Sequence, residues 1–374
     1  MAVTTIPSAG LTLGAQVNFR NLIINGDMSI AQRGTSFSSM SNGQFITDRF
    51  FYDRAGLGVT AAFTGSQSTD VPSGTSFANS LKMDVTTAQT LGASGGTFLG
   101  VTTKVEGFNY KLTSNQVATI SFWVKSNLTG TYSIVFRNNG NDRVLVEEYT
   151  INSASTWEKK TITLPTFTTD GTWNYTNGMG VSIFFCLAVA GDNDTSTIGS
   201  WISSGVTSIY GSSNNVEFAS STSNEWYITG VQLEVGTSAS DFEFLPYDVN
   251  FRRCQRYHFR HNPSKDSQTT IVMGIANGGS DMNSVLIPVP VQMRANPSLS
   301  TDPASGSVAI RWWKTTGNTG TISSYTTLAS QGDGPSDGSG FLALTINGFG
   351  GNLVASAPNG IEFESTDLIL DSEL

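Results

Sequence analysis

Only two histidines occur in the 374-residue chain, His258 and His261, three apart and beside Arg260. Zinc takes three or four ligands, and the two cysteines, Cys186 and Cys254, have no ligand-type partner close in sequence. The histidine pair therefore reads as a solvated basic face. Ser-His-Asp catalysis would have to use one of the same histidines, and no Gly-x-Ser-x-Gly elbow precedes a helix. Residues 331–340 are glycine-rich but lack the closing Lys-Ser/Thr of a phosphate loop. A glycosidase needs two carboxyls roughly 5–10 Å apart. Glu147 and Glu148 are neighbours on an expected strand, so they point to opposite faces. Asp192 and Asp194 sit in a turn, where Asp serves the backbone. No catalytic set emerges, and a non-enzyme is expected.

Sugar binding needs less: aromatic rings beside polar loops, whose faces stack on the C–H faces of a pyranose. Trp173 and Tyr175 lie in the turn-rich segment 170–178, and Trp201 and Tyr210 lie in the long Ser/Gly-rich segment 195–224. These four are the candidate carbohydrate-binding residues. Trp312-Trp313 falls on an expected strand, one ring facing in and one out. Core packing and subunit contacts use the same residue types. The sharpest charge feature is Arg252-Arg253-Cys254-Gln255-Arg256, extended by Arg260 and Lys265. On a helix Arg252, Arg253, Arg256 and Arg260 share one side, which suits subunit or domain packing.

The elements that must position these residues are strands. Only 13% of residues are charged, against about 25% in an average globular protein. Gly contributes 39 residues, and strong helix formers are scarce, which excludes helical bundles, coiled coils and α/β enzymes. Alternating or apolar runs recur at 45–52, 80–85, 117–125, 131–137, 143–151, 157–164 and 225–235. The run 180–189 is almost wholly apolar, so both its faces should be covered. Residues 22–24 read as a short strand running into the Asn25-Gly26 turn signal. The segment 195–224 is too long for a hairpin loop, so it is functional or packed on a neighbour. Residues 249–260 form the best helix candidate. Further strands are expected at 270–276, 284–289, 308–314, 340–346 and 361–370.

The fold expected is all-β, a jelly-roll β-sandwich followed by a smaller C-terminal β domain. The expected division is a lead-in or anchor at 1–20, the jelly roll at 21–247, a helical connector at 248–261 and the β domain at 262–374. The net charge of −9 argues against nucleic acid as a partner. No window of 18 apolar residues is present, so membrane insertion is not expected. The first residues lack the basic and apolar regions of a signal peptide. Two cysteines form no disulfide framework and fit synthesis in a reducing cytosol.

Several segments together resemble a known family. They read NLIINGDMSIAQRGT at 21–35, TDRFF at 47–51, SFWVK at 121–125, WYITGVQLEVG at 226–236 followed by Phe242-Glu243, CQRY at 254–257 and PVQMRANP at 290–297. Over roughly residues 11–300 they resemble tail fibre or fibre-like virion proteins of tailed bacteriophages and prophages. The resemblance implies a homotrimer displayed on the particle exterior. It would attach to other virion proteins at the N-terminal end and contact host-surface glycan. A head decoration or head fibre protein, or a polysaccharide-degrading tailspike, are the alternatives. The first and last motifs also resemble jelly-roll carbohydrate-binding modules, which implies that residues 21–30 and 226–235 lie side by side in one sheet. In those modules the closing strand carries paired aspartates that hold a structural calcium. Here Thr229 and Gly230 stand in their place, leaving Asp27 and Glu234 as weak calcium candidates. No other cofactor is expected.

Overall fold

Alternation of apolar and polar residues builds this chain mainly from antiparallel strands. The computed structural model describes residues 19–56, 60–91, 96–203, 208–261, 270–277, 281–302, 309–314, 319–322, 328–331, 341–347, 358–364 and 367–374. The chain divides into two compact units, the first ending at Pro246 and the second spanning Tyr247–Glu373.

The first unit contains β1 (Ser36–Phe37), β2 (Phe45–Thr47), β3 (Phe50–Ala55), β4 (Ala62–Ser68), β5 (Ser80–Thr87), β6 (Thr97–Glu106) and a single turn α1 (Gly107–Tyr110). Next come β7 (Ala118–Ser126), β8 (Gly130–Asn138), β9 (Val144–Ile151), β10 (Glu158–Thr163) and β11 (Met179–Ala190). The short strands β12 (Asp194–Thr195), β13 (Trp201–Ile202) and β14 (Gly211–Ser212) precede β15 (Glu225–Val235). A six-stranded sheet runs β1-β4-β5-β15-β7-β10 and a seven-stranded sheet runs β13-β9-β8-β11-β6-β3-β2. This is the expected jelly-roll sandwich. Its core lies between the sheets and includes Phe50, Tyr52, Phe63, Phe122, Tyr132, Ile134, Phe136, Phe185, Trp226 and Ile228. In β8 the alternation places Tyr132, Ile134 and Phe136 inside, leaving Ser133, Val135 and Arg137 on the opposite face.

That opposite face is covered as well. Phe184, Cys186 and Val189 of β11 join Phe98, Val135, Val144, Val146 and Ile209 in a second apolar cluster, roofed by Ile198, Ile202 and Tyr210. The long segment after β11 thus packs on its own sheet. This accounts for a run apolar on both faces.

Residues 22–24 are not a strand. The segment is a series of turns, with Asn25 at φ 60° and Met28 at φ 58°. It therefore does not share a sheet with residues 226–235 as expected, but it does lie beside β15, held by Leu22 N donating to Leu233 O (3.0 Å) and Val231 N donating to Gly26 O (2.9 Å). A side chain at Gly26 would run into the Val231 carbonyl oxygen. Side chains replace the missing ladder. Asn21 donates to Val231 O (3.0 Å) and accepts from the Ile23 N–H (2.9 Å) and the Leu233 N–H (3.2 Å). Asn25 donates to Ile30 O (2.9 Å) and Asp48 O (2.8 Å) and accepts from the Ile30 N–H (2.9 Å).

In the second unit the helix spans only Tyr247–Gln255. His258–His261 is a strand, because it pairs with Asp367–Asp371. Sheet pairing there overrides the helical continuation expected to residue 260. Residues 248–261 are therefore part helix and part strand, and they belong to the second unit. Ser298–Asp302 completes a three-stranded sheet. A seven-stranded sheet runs Thr319–Ile322, Ala309–Lys314, Pro358–Glu364, Thr270–Asn277, Asp281–Pro288, Phe341–Asn347, Leu328–Gln331. The expected strand 361–370 is two strands in different sheets. The lead-in 1–18 and the loop 332–340 lie outside the described residues.

Asn25 is 1% exposed and satisfies three buried backbone groups in a positive-φ conformation that Asn tolerates better than Ala. Asn25→Ala is expected to cost about 3 kcal/mol. Urea unfolding checks it; a loss of a few tenths would show that water replaces the amide.

Candidate functional site

Three of the four candidate rings meet at one place. Trp173 stacks on Tyr110 with centroids 4.7 Å apart and planes at 10°. Tyr175 stacks on Tyr110 at 6.0 Å. Trp201 meets Trp173 edge-on at 5.6 Å and Phe167 at 5.4 Å. Tyr110 and Phe167 are fully buried and root the group in the core, while Trp173, Tyr175 and Trp201 remain partly exposed. Sequence reasoning missed Tyr110 and Phe167. Their only signal was an isolated ring in a turn, shared by many core residues.

Each exposed ring is positioned by its polar edge. Trp201 sits on β13, opposite Leu145 of β9, and its indole N–H donates to Thr166 O (3.0 Å). The Trp173 indole N–H donates to Asp170 O (2.7 Å). The Tyr175 hydroxyl lies 3.3 Å from Ser114 Oγ. Asp142 fixes the loop entering Trp173, accepting from Asn138 Nδ2 (2.5 Å), the Thr172 N–H (3.1 Å) and Thr172 Oγ1 (2.9 Å). Those bonds hold its carboxyl below the usual range. Phe108, on the turn that carries Tyr110, and Leu112, just after it, are 55% and 49% exposed. Such an arrangement can stack a pyranose ring.

Tyr210 lies elsewhere. Its ring is 3.5 Å from the Phe98 centroid, nearly parallel, and the Arg137 guanidinium carbon stands 4.0 Å from its centroid. With both neighbours in place the ring has no free face for a sugar. The insertion uses it as a roof tile.

The Glu147–Glu148 pair separates as alternation requires. Glu148 accepts from Ser212 Oγ and Asn214 Nδ2 on the outer face of the sheet. Glu147 sits on the opposite face, and among the described residues it makes no hydrogen bond or ion pair. Burial, helped by repulsion from Glu148, raises its carboxyl to about 7. The Glu234 carboxylate receives Ser240 N (2.8 Å), Ser240 Oγ (2.7 Å) and Gln232 Nε2 (2.8 Å), and lies 3.7 Å from Arg20. These contacts tie the Glu234 carboxylate to the segment after β15 and to Arg20. Asp27 accepts from Ser29 Oγ (3.1 Å). No group of three His, Cys, Asp or Glu side chains suited to a metal occurs among the described residues.

His258 is buried, its Nδ1 3.4 Å from Asp371 Oδ2 across the sheet, so it belongs to no exposed basic face. His261 follows on the same strand. Arg252 and Arg253 lie on the helix, Arg256 in the turn after it and Arg260 on a strand. Arg260 therefore leaves the expected single-sided cluster, while Arg256 N still donates to Arg252 O (3.3 Å). Cys186 and Cys254 are buried and form no disulfide, and burial pushes the Cys186 thiol far up. The side chains of Trp312 and Trp313 lie outside the described part of their strand. No helix among the described residues is long and apolar enough to cross a membrane.

No protein-family model matches the chain, and no curated protein matches it. Solved structures similar to it include the enzymatically active domain of tailspike protein 4 from bacteriophage CBA120. That similarity has 16% identity and a TM-score of 0.32 over 58% of this chain and 22% of that one, so the match spans about a fifth of that domain's length. A family 11 carbohydrate-binding module of a Clostridium thermocellum cellulase is similar at 12% identity and a TM-score of 0.30, over 54% of this chain and 97% of that one. A tandem family 22 carbohydrate-binding pair from Paenibacillus barcinonensis is similar at 9% identity and a TM-score of 0.26, over 90% and 99%.

The Glu147 carboxyl carries a pH consequence. Its ordinary value is 4.5 and its folded value about 7, so the folded chain holds the extra proton between those limits. Stability from this group is full below about pH 4.5 and is lost as pH rises through 7. Glu147→Gln should raise stability at pH 8 by on the order of 1–2 kcal/mol, discounted for solvent screening. The difference should vanish near pH 4. Thermal melts across pH test this, and equal parent and variant curves would show that Glu147 ionises freely.

Proposed function

We propose that the chain is a non-enzymatic virion protein of tailed bacteriophages, of tail-fibre or appendage type. It stands on the particle exterior as a homotrimer and holds host-surface glycan on Trp173, Tyr175 and Trp201. The observation that carries the glycan reading is this group of three partly exposed rings. Each is fixed by a polar edge or a stacked neighbour, so a sugar would meet a preorganised surface. Loops on a rigid β scaffold are where such contacts are usually made. The virion reading rests on the sequence motifs at 21–35, 47–51 and 226–236. The non-enzymatic reading rests on the separation of Glu147 from Glu148 and the commitment of His258 to Asp371.

Two measurements test it. The purified chain should sediment at three times its 39.8 kDa mass, and a stable monomer at micromolar concentration removes the trimer. Particles carrying Trp173→Ala with Trp201→Ala should incorporate the chain at normal copy number. They should adsorb to host cells about tenfold more slowly, the loss expected for roughly 1.4 kcal/mol of stacking. Normal adsorption of such particles removes the glycan role, and absence of the chain from purified particles removes the virion role.

A further inference from the structure

The outer face of the six-stranded sheet carries rings that the loop site does not use. Trp226, Ile228, Phe122, Val124, Leu81 and Met83 fill the core from β15, β7 and β5. Alternation then turns Tyr227, Lys125, Trp123 and Lys82 outward. The register sets Lys82 opposite Tyr227, and Tyr227 opposite Lys125. Trp157, just ahead of β10, continues this row, with Lys125 Nζ 5.6 Å from its ring. The neighbouring row is Thr229, Trp123 and Lys159.

The first row is closed upon itself. Lys82 Nζ lies 2.9 Å from Glu225 Oε2, and Lys125 pairs with Asp70. The Trp157 indole N–H donates to Asp70 Oδ1 (2.9 Å), and the Tyr227 hydroxyl donates to Glu225 Oε2 (3.0 Å). Lys125 Nζ also stands 4.1 Å from the Tyr227 centroid. The second row is open. Trp123 is partly exposed, and among the described residues it makes no hydrogen bond or ring contact. Lys159 is exposed and has no ion pair among them.

Charge selects the occupant. In the closed row Lys82 meets Glu225 and Asp84, the latter at 3.7 Å, and Lys125 meets Asp70, on a molecule whose net charge is −9. A polyanion would be repelled by the molecule as a whole, and a cation would find all three of these carboxylates engaged. A hydroxyl both donates and accepts, so it can bond to either half of a closed ion pair. Strands about 4.8 Å apart make the row from Lys82 to Trp157 roughly 14 Å long, enough for a short oligosaccharide. We infer that this face is a second binding surface, for a neutral saccharide. One pyranose stacks on Trp123, and its hydroxyls bond to Lys159 and to the Lys125–Asp70 pair. This surface is distinct from the loop rings and stands whether or not they bind sugar.

The test uses the full chain labelled with 5-fluorotryptophan, whose seven tryptophans are assigned by single Trp→Phe variants. The probes are cellohexaose, maltohexaose, laminarihexaose and mannohexaose, with hexagalacturonate as the charged control. At least one neutral probe should shift the Trp123 fluorine resonance. Trp123→Ala should weaken that binding about tenfold or more, and Trp201→Ala should leave it intact. Silence of the Trp123 resonance with every neutral probe overturns the inference. A shift confined to hexagalacturonate and abolished by high salt also overturns it. So does a sugar-free shift that follows protein concentration, which would mean that a second copy covers the face. Loss of binding in Trp201→Ala alone would return the saccharide to the loop rings.

Discussion

Two buried asparagine side chains hold the sandwich together at its head. The segment carrying them makes no strand, yet its backbone is buried and must find partners. Asn21 ties it to Val231 and Leu233 of β15, in the six-stranded sheet. Asn25 ties it to Asp48, in the turn that joins β2 to β3 of the seven-stranded sheet. A side-chain amide offers donors and an acceptor together, so it can stand in for a peptide group. Asp48 closes the ring by accepting from the Gln32 N–H (2.9 Å) and Gln32 Nε2 (2.5 Å). The sequence blocks that open the fold are thus a polar clamp between sheets. Because the clamp locates β15, it also decides that Trp226 and Ile228 face inward and Tyr227 outward.

The second constraint is the double cover of β11. An all-apolar strand needs material on both faces, and the insertion after it supplies the outer layer. Arg137 is pinned there, donating to Ile209 O beneath the Tyr210 ring. The outer face of the seven-stranded sheet around β8 and β11 is therefore spent on packing. The partly exposed rings lie instead in the loops beside β13 and on the face of the other sheet.

Much of this architecture was legible. β15 begins and ends at the residues that the aromatic and alternating pattern marked. β8, β9 and β11 lie within one residue of their apolar runs, because burial on a pleated face leaves a period of two. Residues 22–24 were misread because a short apolar triplet looks the same in a strand and in a buried turn. The helix after Pro246 was overextended because pairing of His258–His261 with Asp367–Asp371 spans more than a hundred residues, which no local pattern reveals. The candidate site was half legible. Turn-rich surroundings correctly grouped Trp173 and Tyr175, and Trp201 joined them through a two-residue strand. Tyr210 shares the composition of its neighbours but is claimed by Phe98 and Arg137, a tertiary fact. Trp123 was passed over because it sits inside a good strand, where an outward ring and an inward ring differ only in register.

A protein built almost wholly of strands must also keep its open edges from pairing with other chains. β10 ends the six-stranded sheet, and beyond the two residues of β13, β9 ends the other. Both strands carry charge at core-facing register positions along that side. Glu158 and Lys160 stand opposite Val124 and Phe122, and Glu147 stands opposite Ile134. Glu158 and Lys160 satisfy each other at 2.5 Å, while Glu147 is left without such a partner. An incoming strand would have to bury these groups, a cost that disfavours edge-to-edge association. The perturbed Glu147 carboxyl is therefore explained without a catalytic task. It guards the edge strand beside Trp201.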